Sequence, residues 1–151
     1  MKVNELLDSD TILLEPKSKK KFDLIREMVS LLADKDLLRS PKKVLSDVID
    51  REKEKGTGLE HGVAVPHCRS EGTERLAAAF AFVPGGIDFG ALDGRPSRFI
   101  FLLVSPKNAT TTHVQALATM ARILKQPSVQ EALVKAKSPG EVEKTLAEAK
   151  V

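Results

Sequence analysis

Apolar residues in this chain fall into two kinds of run, and the alternation between them predicts the fold. Short unbroken apolar stretches closed by proline or glycine read as strands. They are "TILLE" at residues 11–15, "GVAVPH" at 62–67, "LAAAFAFVPGG" at 76–86 and "SRFIFLLVSP" at 97–106. The second of these is expected to stop at Pro66, which has no N–H for a strand ladder. The linking stretch "PGGIDFGALDGRP" holds Ile87 and Phe89 as a possible short extended piece.

Elsewhere the apolar positions recur every three to four residues, the period of a helix with one buried face. Phe22, Ile25, Met28 or Val29, and Leu32 mark a first helix running from Ser18. Ser40 as N-cap and Pro41 at the first helical position open a second, with Val44, Leu45, Val48 and Ile49 on one face and Gly56 or Gly58 as its end. A third starts near His113 and carries Val114, Leu117, Ala118, Ala121 and Leu124 on one side. Pro127 starts a fourth, and the capping-box sequence "SPGE" at Ser138 a fifth. Strands separated by helices over this length predict an α/β fold of three layers. With no internal repeat, low-complexity stretch or linker, residues 1–151 are expected to form a single domain.

Composition narrows the function classes. The chain has 42% hydrophobic and 30% charged residues, enough for a core and a solvated surface. Its charge of +3 is a small surplus of 24 basic over 21 acidic residues, and the run "KSKKK" reads as a solvated face. With no Trp or Tyr to stack on bases, nucleic acid is not an expected partner. One cysteine allows no internal disulfide and suits a reducing compartment. The N-terminus lacks a signal layout, and no apolar run approaches the roughly 18 residues of a membrane span, so a cytoplasmic protein is expected.

Candidate chemistry rests on three histidines, His61, His67 and His113. A lone histidine is most often structural. A metal centre drawn from His61, His67, Cys68 and His113 lacks the paired spacings such sites use, so neither metal nor other cofactor is expected. Cys68 as a nucleophile has no supporting signature around it. His67 as nucleophile makes chemical sense, because neutral imidazole attacks phosphorus and titrates near neutral pH. Arg51, near the end of the second helix, offers a planar fork to phosphate oxygens. His113, at a helix start that disfavours a charged ring, can donate one hydrogen bond as a neutral imidazole.

These residues lie in familiar sequence. "REKEKGTGLEHGVAVPH" at 51–67 resembles the active-site signature of the fructose/mannitol-type EIIA family of the sugar phosphotransferase system: an Arg-Glu pair, Thr-Gly, and a Gly-apolar-Ala-apolar-Pro-His ending. "THVQALATMARIL" at 112–124 resembles the family's second histidine segment. The separations, sixteen residues from Arg51 to His67 and forty-six from His67 to His113, suit that family too. The resemblance implies a mixed β-sheet flanked by helices, with His67 as the phosphorylated histidine and Arg51 and His113 orienting it and stabilising the phosphate. Thr57 and Gly58 fall in the signature as possible phosphate-loop residues. It also implies a cytoplasmic phosphotransferase component that uses no ATP. Phosphate would come from the phosphocarrier HPr and pass to a IIB domain, with docking on a membrane IIBC permease, or phosphorylation would serve a regulatory role on partner proteins. Outside the family, the alternative is a non-catalytic binding module in which His67 is structural. One departure stands out: the family commonly has Gly-Asn where this chain has Glu60 and His61, so the loop is expected to differ in shape.

Overall fold

A computed structural model describes residues 2–151. After two short 3-10 turns at Val3–Glu5 and Ser9–Thr11, β1 (Ile12–Leu14) leads to helices α1 (Lys21–Asp34) and α2 (Pro41–Glu54). Strands β2 (Val63–Ala64), β3 (His67–Arg69), β4 (Ala77–Ile87) and β5 (Ser97–Ser105) follow, then helices α3 (Thr110–Leu124), α4 (Pro127–Lys135) and α5 (Pro139–Glu148). The strands form one mixed sheet in the order β1-β4-β5-β2, with β3 also on β5. β4 and β5 are antiparallel, whereas β1 on β4 and both β2 and β3 on β5 are parallel.

Strand alternation sorts the side chains onto two faces. Ala78, Phe80 and Phe82 of β4 and Phe99, Phe101 and Leu103 of β5 enter one core, which α3, α4 and α5 cover with Met120, Ile123, Leu133 and Leu146. Ala79, Ala81 and Val83 of β4 and Ile100, Leu102 and Val104 of β5 enter the other, under α1 and α2. Helix, sheet and helix therefore stack as three layers, as the hydrophobic pattern implies.

Local signals explain most boundaries. The Ser40 hydroxyl accepts from the backbone N–H of Lys43, and Pro41 follows it at the start of α2. Ser138 caps α5 in the same way, and Glu141 reaches back to the backbone N–H of Lys137. α1 begins at Lys21 and not Ser18; the Ser18 N–H and hydroxyl instead donate to the Glu27 carboxylate on the helix, and Lys20 is the N-cap residue. α2 ends at Glu54, before either glycine.

Two further expectations need correction. The strand expected to end at Pro66 resumes at once: His67, Cys68 and Arg69 pair with Leu103, Val104 and Ser105 in the register already set by Val63 and Ala64. Pro66 lacks only its N–H, and its carbonyl still accepts from Leu103. Proline thus interrupts an edge strand without ending it. The buried face of α3 is His113, Ala116, Thr119, Met120, Ile123 and Leu124, and Val114 is exposed. Apolar residues on both stripes of this helix made the two faces hard to separate by period alone.

Candidate active site

The interruption at Val65–Pro66 shapes the site. The Val65 N–H turns outward to the Thr57 carbonyl, and the Val65 carbonyl lies 2.7 Å from the His67 ring Nδ1. A carbonyl can only accept, so Nδ1 carries the proton and Nε2 keeps a free lone pair. Alternation along β3 then decides what surrounds the ring. Cys68 points into the core under α1 and α2, whereas His67 pairs with Leu103, which faces the α3 side.

On that side α3 supplies the second histidine. The rings of His67 and His113 lie 5.3 Å apart between centroids and are tilted by 59°. His113 Nδ1 lies 2.7 Å from the Ser105 hydroxyl at the end of β5. Arg69, two residues beyond His67, reaches α3 at the Thr110 hydroxyl, 2.8 Å away. α2 closes the third wall with Asp47, Asp50, Arg51 and Glu54, and Lys107 adds a further cation. Together these residues line a cleft of about 580 Å³.

The charges in the cleft are unevenly paired. Asp47 is held by Lys43 at 3.1 Å and by the Ser70 hydroxyl at 2.7 Å. The Arg51 guanidinium donates to the Lys55 carbonyl at 2.8 Å. Among the described residues neither Arg51 nor Arg69 has a carboxylate within ion-pair distance. Two guanidinium groups therefore stand beside two imidazoles with charge to offer an anion.

Both histidines are held toward the neutral form. Burial lowers the pKa of His67 below its ordinary value, partly opposed by the Val65 hydrogen bond; Arg51 lowers it further, and Glu52 opposes. Burial, with the charges of His67 and Arg69, brings His113 down to about 4. Burial, reinforced by Asp47, pushes the Cys68 thiol up to about 12, so it stays protonated and is a poor nucleophile.

His67, His113 and Arg51 are thus brought together from three separate elements. Thr57 and Gly58 are not among the residues lining the cleft. Thr57 is buried, its N–H and hydroxyl both directed to Glu52 at 2.8 and 2.5 Å, with Lys21 3.4 Å from the same carboxylate. Gly58 lies so close to Ala91 that an added Cβ would sit 2.8 Å from its Cα. This pair holds the loop behind His67. The Glu60-His61 loop is closed by His61 (φ 64°) and Gly62 (φ 76°), so the left-handed position falls on His61 and Glu60 escapes it.

Sequence reasoning missed Glu52, Arg69 and Ser105. Arg69 was readable, since i and i+2 of a strand share a face, but only if the strand was taken past Pro66. Glu52 stands beside Arg51 in the motif, yet nothing in the sequence shows that it is buried. Among the described residues no cluster of His, Cys, Asp or Glu has the makings of a metal site, and no helix is long and apolar enough to cross a membrane.

Residues 5–149 match the family described as the phosphoenolpyruvate-dependent sugar phosphotransferase system, EIIA 2. The chain belongs to this family. It is 32% identical over 138 residues to the fructose-specific EIIABC component of Bacillus subtilis, which aligns 91% of this chain but only 22% of that protein's length. Among solved structures, nitrogen regulatory protein IIA-Ntr from Neisseria meningitidis superposes with a TM-score of 0.87 at 34% identity, covering 95% of this chain and 98% of its own. The Escherichia coli complex of enzyme IIA mannitol with phosphorylated enzyme IIB mannitol matches at a TM-score of 0.80 and 26% identity, over 93% and 96% of the two chains. This EIIA-type chain accordingly shares its α/β fold with relatives described both as sugar-specific and as nitrogen-regulatory.

Proposed function

We propose that this chain is a phosphoryl carrier in which His67 Nε2 accepts a phosphoryl group and hands it to a second protein. The observation that carries the reading is the hydrogen bond from His67 Nδ1 to the Val65 carbonyl, which leaves Nε2 as the nucleophilic nitrogen inside a cleft lined by Arg51 and His113.

The chemistry is an in-line transfer. The Nε2 lone pair forms a bond to phosphorus as the bond to the donor imidazole of HPr breaks, and the bonding pair returns to the donor nitrogen. The proton stays on Nδ1, donated to the Val65 carbonyl, so the neutral ring starts the reaction without first losing a proton. Charge spreads over three phosphoryl oxygens in the loose transition state, where the Arg51 fork and a neutral His113 N–H can meet it. The phosphoryl group leaves one imidazole nitrogen and arrives on another, so positioning matters more than driving force. In the second step the P–Nε2 bond breaks as a P–S bond forms on a cysteine thiolate of a IIB domain.

The likeness to IIA mannitol bound to phosphorylated IIB supports this acceptor. A second reading, a nitrogen-regulatory EIIA whose phosphorylation state controls partner proteins, is supported by the likeness to IIA-Ntr. Incubation with phosphoenolpyruvate, enzyme I and HPr tests the common core of both. An acid-labile, base-stable phosphate that is absent in His67→Ala is the expected result. Wild-type protein that stays unlabelled, or a label that survives in His67→Ala, sinks it. Adding a IIBC permease separates the two readings, because only a transport carrier passes the label on.

A further inference from the structure

The phosphoryl-carrier reading needs His113 to present a hydrogen-bond donor to the phosphoryl oxygens, and a neutral imidazole does so with only one of its nitrogens. Nothing in the two motifs says which one. The answer lies outside both, at Ser105.

Ser105 is the last residue of β5 and is fully buried. Its carbonyl accepts from the Ser70 N–H at 2.8 Å, and it stands opposite Arg69 in the ladder, so the sheet fixes where its side chain starts. His113 is fixed from the other side, its backbone N–H bonded to the Ala109 carbonyl in the first turn of α3. The Ser105 hydroxyl and His113 Nδ1 meet at 2.7 Å.

Two proton arrangements satisfy that distance. In one the hydroxyl donates to an unprotonated Nδ1. In the other Nδ1–H donates to the hydroxyl oxygen, whose own hydrogen then needs an acceptor. Among the described residues, Nδ1 is the only side-chain or backbone partner of that hydroxyl, so the second arrangement leaves a buried O–H unsatisfied. The first wastes nothing: the hydroxyl donates, Nδ1 accepts, and the ring proton sits on Nε2.

We propose that Ser105 is a positioning residue for phosphoryl transfer: its hydroxyl holds His113 as the Nε2–H tautomer, so that His113 turns a donor and not a lone pair toward the phosphoryl group on His67. The two rings of the site are then fixed in opposite tautomers. Val65 holds His67 with Nδ1 protonated and a lone pair on Nε2, and Ser105 holds His113 with Nε2 protonated. One ring is the nucleophile and the other the donor. Had both carried the same tautomer, the cleft would hold two lone pairs or two donors.

This proposal rests on the carrier reading for its consequence but not for its structural content, and the experiment separates the two. Nitrogen NMR of the unphosphorylated, 15N-histidine-labelled full chain reads each ring's tautomer directly. His113 is expected with a protonated Nε2 and a bare, hydrogen-bonded Nδ1. In Ser105→Ala that preference relaxes and the rate of labelling by phospho-HPr falls roughly 10-fold, less than the 100-fold or more that follows loss of a charge-stabilising donor itself. Ser105→Thr keeps the hydroxyl and is expected to restore both readouts. A wild-type His113 protonated at Nδ1 overturns the proposal even if no variant folds. So does a Ser105→Ala protein with unchanged tautomer and unchanged rate. A correct tautomer in a protein that phospho-HPr never labels instead removes the carrier reading, and with it the catalytic role given to Ser105.

Discussion

The ring of His67 is tied to the backbone of a residue only two positions before it: Nδ1 lies 2.7 Å from the Val65 carbonyl. That bond makes the two ring nitrogens chemically different before any partner arrives. The phosphoryl group is expected on Nε2, with the Nδ1–H still donating to Val65. Phosphorus–nitrogen coupling in the 15N-labelled phosphoprotein identifies the attached nitrogen. A phosphate on Nδ1 would require the Val65 bond to break and would remove the geometric argument for His67.

Arg51 sits at the last turn of α2 with no carboxylate partner among the described residues, and its one hydrogen bond is to the Lys55 carbonyl. Its charge is therefore available to the transferring group. Arg51→Ala is expected to slow labelling by about 100-fold, the scale of losing a preorganised charge at a developing anion. The unfolding free energy should stay within about 0.5 kcal/mol of wild type, as for other surface changes. Arg51→Lys should fall between the two, since lysine keeps the charge without the planar fork. Equal loss of stability and of labelling would assign Arg51 to the fold.

How much of this was legible in the sequence follows from what each residue depends on. Strands β4 and β5 and the Ser40 and Ser138 caps were legible because the signals are local: unbroken apolar runs, and a hydroxyl placed before a helix. β3 was not, because its continuation past Pro66 depends on β5, thirty-six residues away in register. The face of α3 was ambiguous because apolar residues occupy two adjacent stripes, and only the sheet beneath selects the one bearing His113. Arg51, His67 and His113 were named from motifs, yet their convergence is a property of three elements meeting. Ser105 could not be named at all: a serine closing an apolar strand gains meaning only from the helix that passes above it.

Thr57 belongs to the signature but directs both its N–H and its hydroxyl to the buried carboxylate of Glu52. Thr57→Val keeps the shape and leaves that carboxylate short of a donor, at a cost of about 1–3 kcal/mol. The labelling rate of the folded protein is expected to stay within about threefold of wild type, a shift below 1 kcal/mol. Denaturant titration beside the labelling assay checks both at once. A loss of labelling beyond roughly tenfold in stably folded protein would give the threonine a direct part in holding phosphate.

Cys68 neighbours the proposed nucleophile, but alternation turns it into the core, and its thiol is pushed up to about 12 by burial and Asp47. Cys68→Ser is expected to leave phosphoryl labelling intact while costing about 1–2 kcal/mol for placing a more polar group in the same site. In the wild type, alkylation by iodoacetamide at neutral pH should be slow until the chain unfolds. Rapid alkylation of the native protein, or loss of labelling in the serine variant, would return the thiol to the list of reacting groups.

The two histidines also predict how stability depends on pH. His113 is brought down to about 4 and His67 is lowered from its ordinary value, both chiefly by burial. An unfolded chain takes up protons at both rings as pH falls through about 6.5, while the native chain resists. Across the window from about 6.5 down to about 4 the unfolded state therefore binds more protons, and stability rises with pH. For His113 the full effect is on the order of 3 kcal/mol, reached only below its native pKa. Carboxylates titrate in the same range, so the wild type alone is ambiguous and His113→Gln is the control. Urea denaturation at pH 7 and 4.5 should show the variant losing about 2 kcal/mol less than the wild type over that interval. Equal losses in the two proteins would mean that the native His113 protonates as freely as an exposed ring, and that its neutral, donor-bearing form is not maintained by the fold.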